Sequence, residues 1–255
     1  MIYVMLPAYN EELGIGSVLD KIKALAHRSE EPWRVIVVDD GSLDRTREVV
    51  GRFSDRLDLK IFGFERNQGV AAVFKKGLQF IIQDSKNPEE DICLTLDSDN
   101  TQDPRTIPVM IETIRKGNDL VIASRFVRGG GMVGVPAARQ VLSYGASYLM
   151  RWTVGLEGVR DYSTLFRAVR VSLLQKGFEQ FGDHLLAGSG FAAGTGLLIR
   201  LGSLTERISE VPLLLRYDFK KGKSGMRILK TIRGYWGLMA AVSYTHLTLP
   251  TKRIV

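Results

Sequence analysis

Leu94-Thr95-Leu96-Asp97-Ser98-Asp99-Asn100-Thr101-Gln102-Asp103-Pro104 sets an apolar run directly against Asp-x-Asp and a polar turn closed by proline. Ile92 to Leu96 reads as a buried strand. Carboxylates at i and i+2 project to the same side of an extended strand. At its C-terminal end they form an oxygen-rich corner that repels itself unless a cation neutralises it. Mg2+ or Mn2+ takes few protein carboxylates and completes its shell with water and phosphate oxygens. Asp97 and Asp99 are therefore expected to bind a divalent cation that holds a diphosphate. The alternative for an isolated Asp-x-Asp is a plain polar turn.

This motif is not isolated. Ile2 to Leu6 is an apolar run ending in Pro7-Ala-Tyr9-Asn10-Glu11-Glu12, and Val35 to Val38 breaks into Asp39-Asp40-Gly41-Ser42-Leu43-Asp44. Ligands of an open parallel sheet bind outside the carboxyl ends of its strands, and three acid-rich strand ends suit a nucleotide there. Asp44 also has the chemistry of a helix cap. Between the strands lie amphipathic stripes: Ile15, Val18, Leu19, Ile22 and Leu25; Val70, Val73, Phe74, Leu78 and Ile81; Ile107, Met110, Ile111 and Ile114. A helix is expected over Arg45 to Phe53, and short strands at Leu59 to Phe62 and Leu120 to Ala123. This alternation predicts an α/β fold with a mostly parallel central sheet. Gly69 marks a helix entry, Gly77 a close packing point, and Gly129 to Gly131 a loop.

Pro7-Ala-Tyr-Asn-Glu11, Val37-Val-Asp-Asp-Gly-Ser-x-Asp44, Asn67-x-Gly69 and Asp97-x-Asp99 stand in the order and spacing of family-2 glycosyltransferases, which the chain resembles over roughly residues 1 to 240. Ala123-Ser-Arg125-Phe, Asp161-Tyr-Ser-Thr-Leu-Phe-Arg167-Ala-Val-Arg170 and Glu210-Val-Pro212 are similar to the dolichol-phosphate mannosyltransferase-like, polyprenyl-phosphate branch. The resemblance implies a Rossmann-like nucleotide-diphospho-sugar transferase (GT-A) fold over residues 1–242. It also implies an inverting transfer from a nucleotide-diphosphate sugar, GDP-mannose or a UDP-hexose, to a polyprenyl or dolichyl phosphate. On that basis Pro7, Tyr9, Glu11, Val38, Asp40, Ser98 and Arg125 are expected at the nucleotide sugar, with Asp97, Asp99 and Gln102 at the metal. Arg139 is expected at the acceptor phosphate.

Three positions depart from the family pattern. The metal-binding glutamine usually follows the second aspartate by two residues, where Thr101 stands, and Gln102 comes one step later. The acid often found before a Leu-Leu helix segment is replaced by Gly196, ahead of Leu197-Leu198. A hydroxyl acceptor would need such a base, whereas a lipid phosphate is already anionic. Near Gly222-Lys-Ser224 the usual flanking cations align with Phe219 and Gly225, leaving Arg216, Lys220, Lys221 or Lys223 to supply the charge. These departures keep two alternatives open, a catalytically silent nucleotide-sugar-binding module and a transferase acting on a glycan hydroxyl. A sugar-nucleotide pyrophosphorylase would open with a Gly-rich loop, and Pro7-Ala-Tyr-Asn-Glu11 stands there instead.

Composition limits the partners. The 255 residues are 45% hydrophobic and 25% charged, enough for one well-buried α/β unit. Three scattered histidines make no His-based metal site, and the single cysteine, Cys93, falls inside an apolar strand and fits a reducing cytoplasm. The formal charge of +7 is concentrated late, at Arg216, Lys220, Lys221, Lys223, Arg227, Lys230 and Arg233. No basic-aromatic motif accompanies it, so a membrane surface or phosphorylated acceptor is expected rather than nucleic acid. Met1 leads straight into a strand, so no signal peptide is expected. No run reaches the roughly 18–20 apolar residues that span a bilayer, so a cytoplasmic protein peripheral to the membrane is expected. Ser243 to Val255 has neither helical nor strand period and reads as a non-native tail; the natural chain is expected to continue past about residue 242, where relatives carry membrane helices.

Overall fold

The computed structural model describes residues 1–186, 188 and 191–220. The predicted tail and the basic residues from Lys221 onward lie outside the described residues. Strand β1 (Ile2–Ala8) is followed by helix α1 (Ile15–Ala26), β2 (Trp33–Asp40), α2 (Thr46–Gly51), β3 (Leu59–Phe64), α3 (Val70–Asp84) and β4 (Ile92–Thr95). Helix α4 (Ile107–Arg115), β5 (Leu120–Ser124), β6 (Gly131–Val133), α5 (Ala137–Thr153), β7 (Arg167–Arg170) and α6 (Val171–Phe181) come next. Then follow α7 (Phe191–Gly202), β8 (Ile208–Pro212) and β9 (Leu214–Arg216).

Seven strands form one sheet in the order β3-β2-β1-β4-β7-β5-β8, and β6 pairs with β9 beside it. Strands β1 to β4 are mutually parallel where they touch, as are β5 and β8. Only β7 runs against its neighbours, β4 and β5. The chain winds outward from β1 through β2 to β3, then returns to place β4 on the other side of β1. That reversal opens a crevice at the carboxyl ends of β1 and β4, where an open sheet receives its ligand.

Period 2 divides the core. Ile2, Val4 and Leu6 of β1 pack with Ile15, Leu19 and Ile22 of α1 and with Met110 and Ile114 of α4. Tyr3 and Met5 point to the opposite face, against Phe74, Leu78 and Ile81 of α3. With both faces covered, the strands read as continuous apolar runs. Cys93 lies buried in β4, and burial pushes its thiol up to about 12, as befits a structural residue.

The expected elements are present, with shifted ends. Strand β3 reaches Phe64, and α2 stops at Gly51 rather than Phe53. Gly131 belongs to a strand: the predicted loop at Gly129 to Gly131 becomes the turn into β6. Gly130 passes so near the backbone of Ser124 and Arg125 that a Cβ would collide with it. Three glycines carry no β signal, so only the tertiary pairing with β9 declares the strand. Gly77 behaves as expected, lying against Met5 and Val38 with no room for a side chain. Gly77→Val should therefore overpack this layer and cost about 1–3 kcal/mol, read as a lower melting temperature with an unchanged circular dichroism spectrum.

Candidate active site

Strand β4 ends at Thr95, so Asp97 and Asp99 converge through a turn and not along an extended strand. Asn100 takes a left-handed backbone (φ 64°) to make that turn, a conformation asparagine tolerates. Thr101 closes it by donating its N–H and hydroxyl to Asp99 Oδ1 at 3.0 and 2.6 Å. Ser98 turns inward and donates to the carbonyl of Pro7 at 2.7 Å, which fastens the turn to β1. Gly14, at the start of α1, lies against Ser98 and Asp99, where a Cβ would come 3.0 Å from the Ser98 carbonyl. The sequence signal for this packing point is a glycine ahead of an amphipathic stripe.

The corner is overloaded with negative charge. Burial and the neighbouring Asp99 push the Glu11 carboxyl up to about 7. Burial and Asp99 likewise raise Asp97. Lys220 answers this charge, its Nζ 2.5 Å from Asp99 Oδ2. Burial alone would lower the Lys220 ammonium, but Asp99, Tyr217 and Glu11 outweigh it and hold it above its ordinary value. Gln102 grips Asp97 twice: its amide nitrogen donates to Asp97 Oδ2 at 2.8 Å and its carbonyl accepts the Asp97 N–H at 2.9 Å. That carbonyl is thus engaged by backbone, and Gln102 orients Asp97.

A divalent cation fits this donor set. Two carboxylates converge, Glu11 adds a third acid beside them, and the Lys220 ammonium already sits on Asp99. Among the described residues no three His, Cys, Asp or Glu side chains form a metal cage by themselves. Remaining ligands would come from water and phosphate, as Mg2+ and Mn2+ prefer.

The nucleoside-side residues divide into open and committed groups. Tyr9, directly after β1, is 43% exposed. Asn10 (φ 55°), Glu11 and Glu12 are stitched to the loop after β2. Asn10 binds Ser42 and Leu43, Glu11 N–H donates to Thr46 Oγ1 and Glu12 N–H to Asp44 Oδ2. Asp44 also accepts from Thr46 N–H at 2.9 Å. It stands one residue before the N-cap of α2, however, which is Arg45 and makes no side-chain cap bond. The expected cap is instead an Asx-type turn bond at the helix entry. Asp40 is buried, and its two oxygens accept from Gln68 and Gly69 N–H at 2.7 and 2.9 Å, holding the entry of α3. It shapes the crevice by fixing the Asn67-x-Gly69 loop. The Val38 side chain packs beside Gly77 and belongs to the core, leaving only its backbone toward the crevice edge.

The arginines are committed more fully than the sequence indicates. Arg125 makes a two-point ion pair with buried Asp161, at 2.7 and 2.8 Å, and donates to Ser163 at 2.5 Å. Burial would raise Asp161, but Arg125 outweighs it and holds that carboxyl below its ordinary range. A buried carboxylate needs such a partner, so Arg125 first organises the 160–164 loop, while its charge still helps to lower Asp97. In the sequence Asp161 is one residue of a longer motif, and its place beneath Arg125 depends on folding. Arg216 pairs with Asp218 at 2.6 Å and stacks 4.1 Å over Phe219, and its N–H ties β9 to the Thr101 carbonyl at 2.8 Å. Arg139 is half-buried in the first turn of α5. Gly196 is buried in α7, whose sequence contains no acid. Gly225 lies outside the described residues.

The mostly parallel sheet with an acidic crevice at its switch point is a GT-A-like fold, and the comparisons with known proteins agree on that fold. The "Glycosyl transferase family 2" model matches residues 3–178. The chain belongs to that family. It is 31% identical over 159 residues to a dolichol-phosphate mannosyltransferase of Pyrococcus furiosus, which covers 62% of this chain and 42% of the relative. It is 26% identical over 246 residues to an undecaprenyl-phosphate mannosyltransferase of Micrococcus luteus, covering 94% and 95%. The chain thus spans less than half of the Pyrococcus relative and nearly all of the Micrococcus one. Among solved structures, glucosyl-3-phosphoglycerate synthase from Mycobacterium tuberculosis, in complex with Mn2+, UDP and glucosyl-3-phosphoglycerate, superposes with a TM-score of 0.67. It is 21% identical and covers 99% of this chain and 81% of its own. That likeness supports the fold.

The raised Glu11 carboxyl makes a signed prediction for the metal-free protein. Folding favours the protonated acid, so its stabilising contribution is full below about pH 4.5 and is lost as pH rises toward 7. Glu11→Gln should therefore stabilise the protein at pH 8 by on the order of 1 kcal/mol, after allowing for solvent screening. Near pH 4 the gain should vanish. Denaturant melts at the two pH values check this.

Proposed function

We propose that the protein is a metal-dependent, inverting glycosyltransferase that moves a sugar from a nucleotide-diphosphate sugar, GDP-mannose or a UDP-hexose, to a polyprenyl or dolichyl phosphate. The observation that carries this reading is the convergence of Asp97, Asp99 and Glu11 on Lys220 at the switch point of the sheet. The names of the Pyrococcus and Micrococcus relatives support the acceptor class. No helix among the described residues is long and apolar enough to cross a membrane. We place the reaction at the cytoplasmic membrane face, with 1–242 as the catalytic unit.

The chain's residues divide the work as follows. Tyr9 stacks on the base and the Pro7–Glu11 turn flanks the ribose. Asp99 and Asp97, the latter oriented by Gln102, would hold the Mg2+ or Mn2+, which when bound would supply charge neutralisation for the diphosphate leaving group. Lys220, which pairs with Asp99, is placed to donate to a diphosphate oxygen and hold positive charge at the leaving group. Arg125, fixed by Asp161, adds positive potential from below. The acceptor phosphate oxygen attacks the anomeric carbon from the face opposite the breaking C–O bond. The configuration inverts and the nucleoside diphosphate departs with that bond's electron pair. No proton need be removed from an ionised phosphate, and the acid-free α7 is compatible with such a nucleophile. Arg139 grips the acceptor phosphate with its planar fork.

Asp99→Asn should keep the fold and lower metal-dependent nucleotide affinity by about 10–100-fold; calorimetry showing unchanged metal dependence would refute the ligand assignment. Arg139→Ala should spare donor binding and reduce transfer to polyprenyl phosphate by on the order of 100-fold. Transfer to a soluble sugar hydroxyl, with none to polyprenyl phosphate, would overturn the acceptor class and leave the transferase reading standing.

A further inference from the structure

The loop that leaves α5 builds a second concave surface. Gly155-Leu-Glu-Gly-Val-Arg160 turns sharply, with left-handed backbone at Gly155 (φ 63°) and Gly158 (φ 75°), a conformation that favours glycine. The Val159 N–H donates to the Leu156 carbonyl at 3.3 Å, which closes a tight turn with Glu157-Gly158 at its tip. The loop is fastened from within the fold. Leu156 N–H donates to the hydroxyl of buried Tyr162 at 3.1 Å, and Glu210 Oε1 accepts the Arg160 N–H at 2.8 Å. Together with Arg151, in the last turn of α5, this loop lines a cavity of about 320 Å3. None of the residues assigned to nucleotide, metal or acceptor lines it. Its two cations stand apart from the arginines elsewhere. Arg125, Arg207 and Arg216 each grip an acid. The guanidinium groups of Arg151 and Arg160 have no ion pair among the described residues, although Glu157 shares their cavity.

We propose that this cavity binds a small, soluble phosphate monoester with a hydroxylated body, a sugar phosphate in class, at a site separate from that of the nucleotide sugar. Two guanidinium groups lining one cavity repel each other until they share an anion, and their planar forks match phosphate oxygens two at a time. Volume sets the size of the ligand. The cavity falls at the lower end of the roughly 300–1,000 Å3 range of small-molecule sites, which suits a single sugar-sized body. Glu157 sets its character, because a carboxylate accepts hydroxyl protons and opposes a second strongly anionic group. Leu156 supplies an apolar wall. The bonds to Tyr162 and Glu210 hold the loop in place before any ligand arrives, so little ordering entropy opposes binding.

Titration calorimetry on the full chain tests this, with glucose 6-phosphate, inorganic phosphate and glucose as probes. Glucose 6-phosphate should bind, and more weakly as salt is raised. Arg151→Gln and Arg160→Gln should each weaken it at least about tenfold. Both side chains are exposed, so the melting temperature of these variants should stay unchanged. Asp99→Asn and Arg139→Ala should leave the affinity as it is, which separates this cavity from the candidate active site. Glu157→Gln should weaken glucose 6-phosphate and leave inorganic phosphate as tight as before or tighter. Absence of binding, an unchanged affinity in the arginine variants, or loss of binding in Asp99→Asn or Arg139→Ala would each overturn the proposal. Equal binding of glucose, or indifference of glucose 6-phosphate to Glu157→Gln, would do the same. So would arginine-dependent capture of phosphatidic acid vesicles with no binding of the soluble ester. Binding here in a protein without glycosyl transfer would uphold the cavity and defeat the proposed function; transfer without binding here would do the reverse.

Discussion

Crowded negative charge at the carboxyl ends of β1 and β4 is the constraint around which the molecule is arranged. Asp97, Asp99 and Glu11 share a poorly solvated corner, where repulsion between carboxylates is stronger than in water. The nearby structure can be understood as support for that arrangement. Thr101 and the left-handed Asn100 hold the turn, Gln102 fixes Asp97, Ser98 fastens the turn to β1, and Lys220 supplies an opposite charge. The lysine limits the cost of that repulsion.

A second layer of buried charge stabilises the floor of the crevice. Strand β7 enters between β4 and β5 against their direction, and the loop leading into it delivers Asp161 to Arg125. Glu210 of β8 accepts from the N–H groups of Arg160 and Asp161, each at 2.8 Å, so the loop is held from two sides. Removing one member of such a network leaves an uncompensated buried charge, whereas the complete set fixes geometry. The arginine of the Ser124-Arg125 motif therefore has a structural task before any catalytic one. Tyr144 of α5 packs on Phe126 next to this pair, which links the outward apolar helix to the crevice floor.

Much of the fold was legible locally. The runs Ile2–Leu6, Val35–Val38 and Ile92–Leu96 stood out because a strand buried on both faces is apolar without alternation. The stripes of α1, α3 and α4 stood out because 3.6-residue periodicity marks one buried face. Beyond residue 125 the reading weakened for physical reasons. Strand β7 is a four-residue segment bounded by arginines, β6 begins in a glycine run, and α5 has its apolar face reversed. Their states are set by partners distant in sequence.

The sequence by itself determined where strands end in acid, because an apolar run meeting a polar turn is a property of neighbouring residues. It also marked the missing acid at Gly196. Tertiary structure decided how each charged group is employed. Lys220 meets Asp99 across 121 positions and Arg125 meets Asp161 across 36. Asp40 binds the entry of α3, and the Val38 side chain turns into the core. A carboxylate or guanidinium is assigned by whichever opposite charge or N–H lies within hydrogen-bond reach, and that proximity is created by the winding of the sheet.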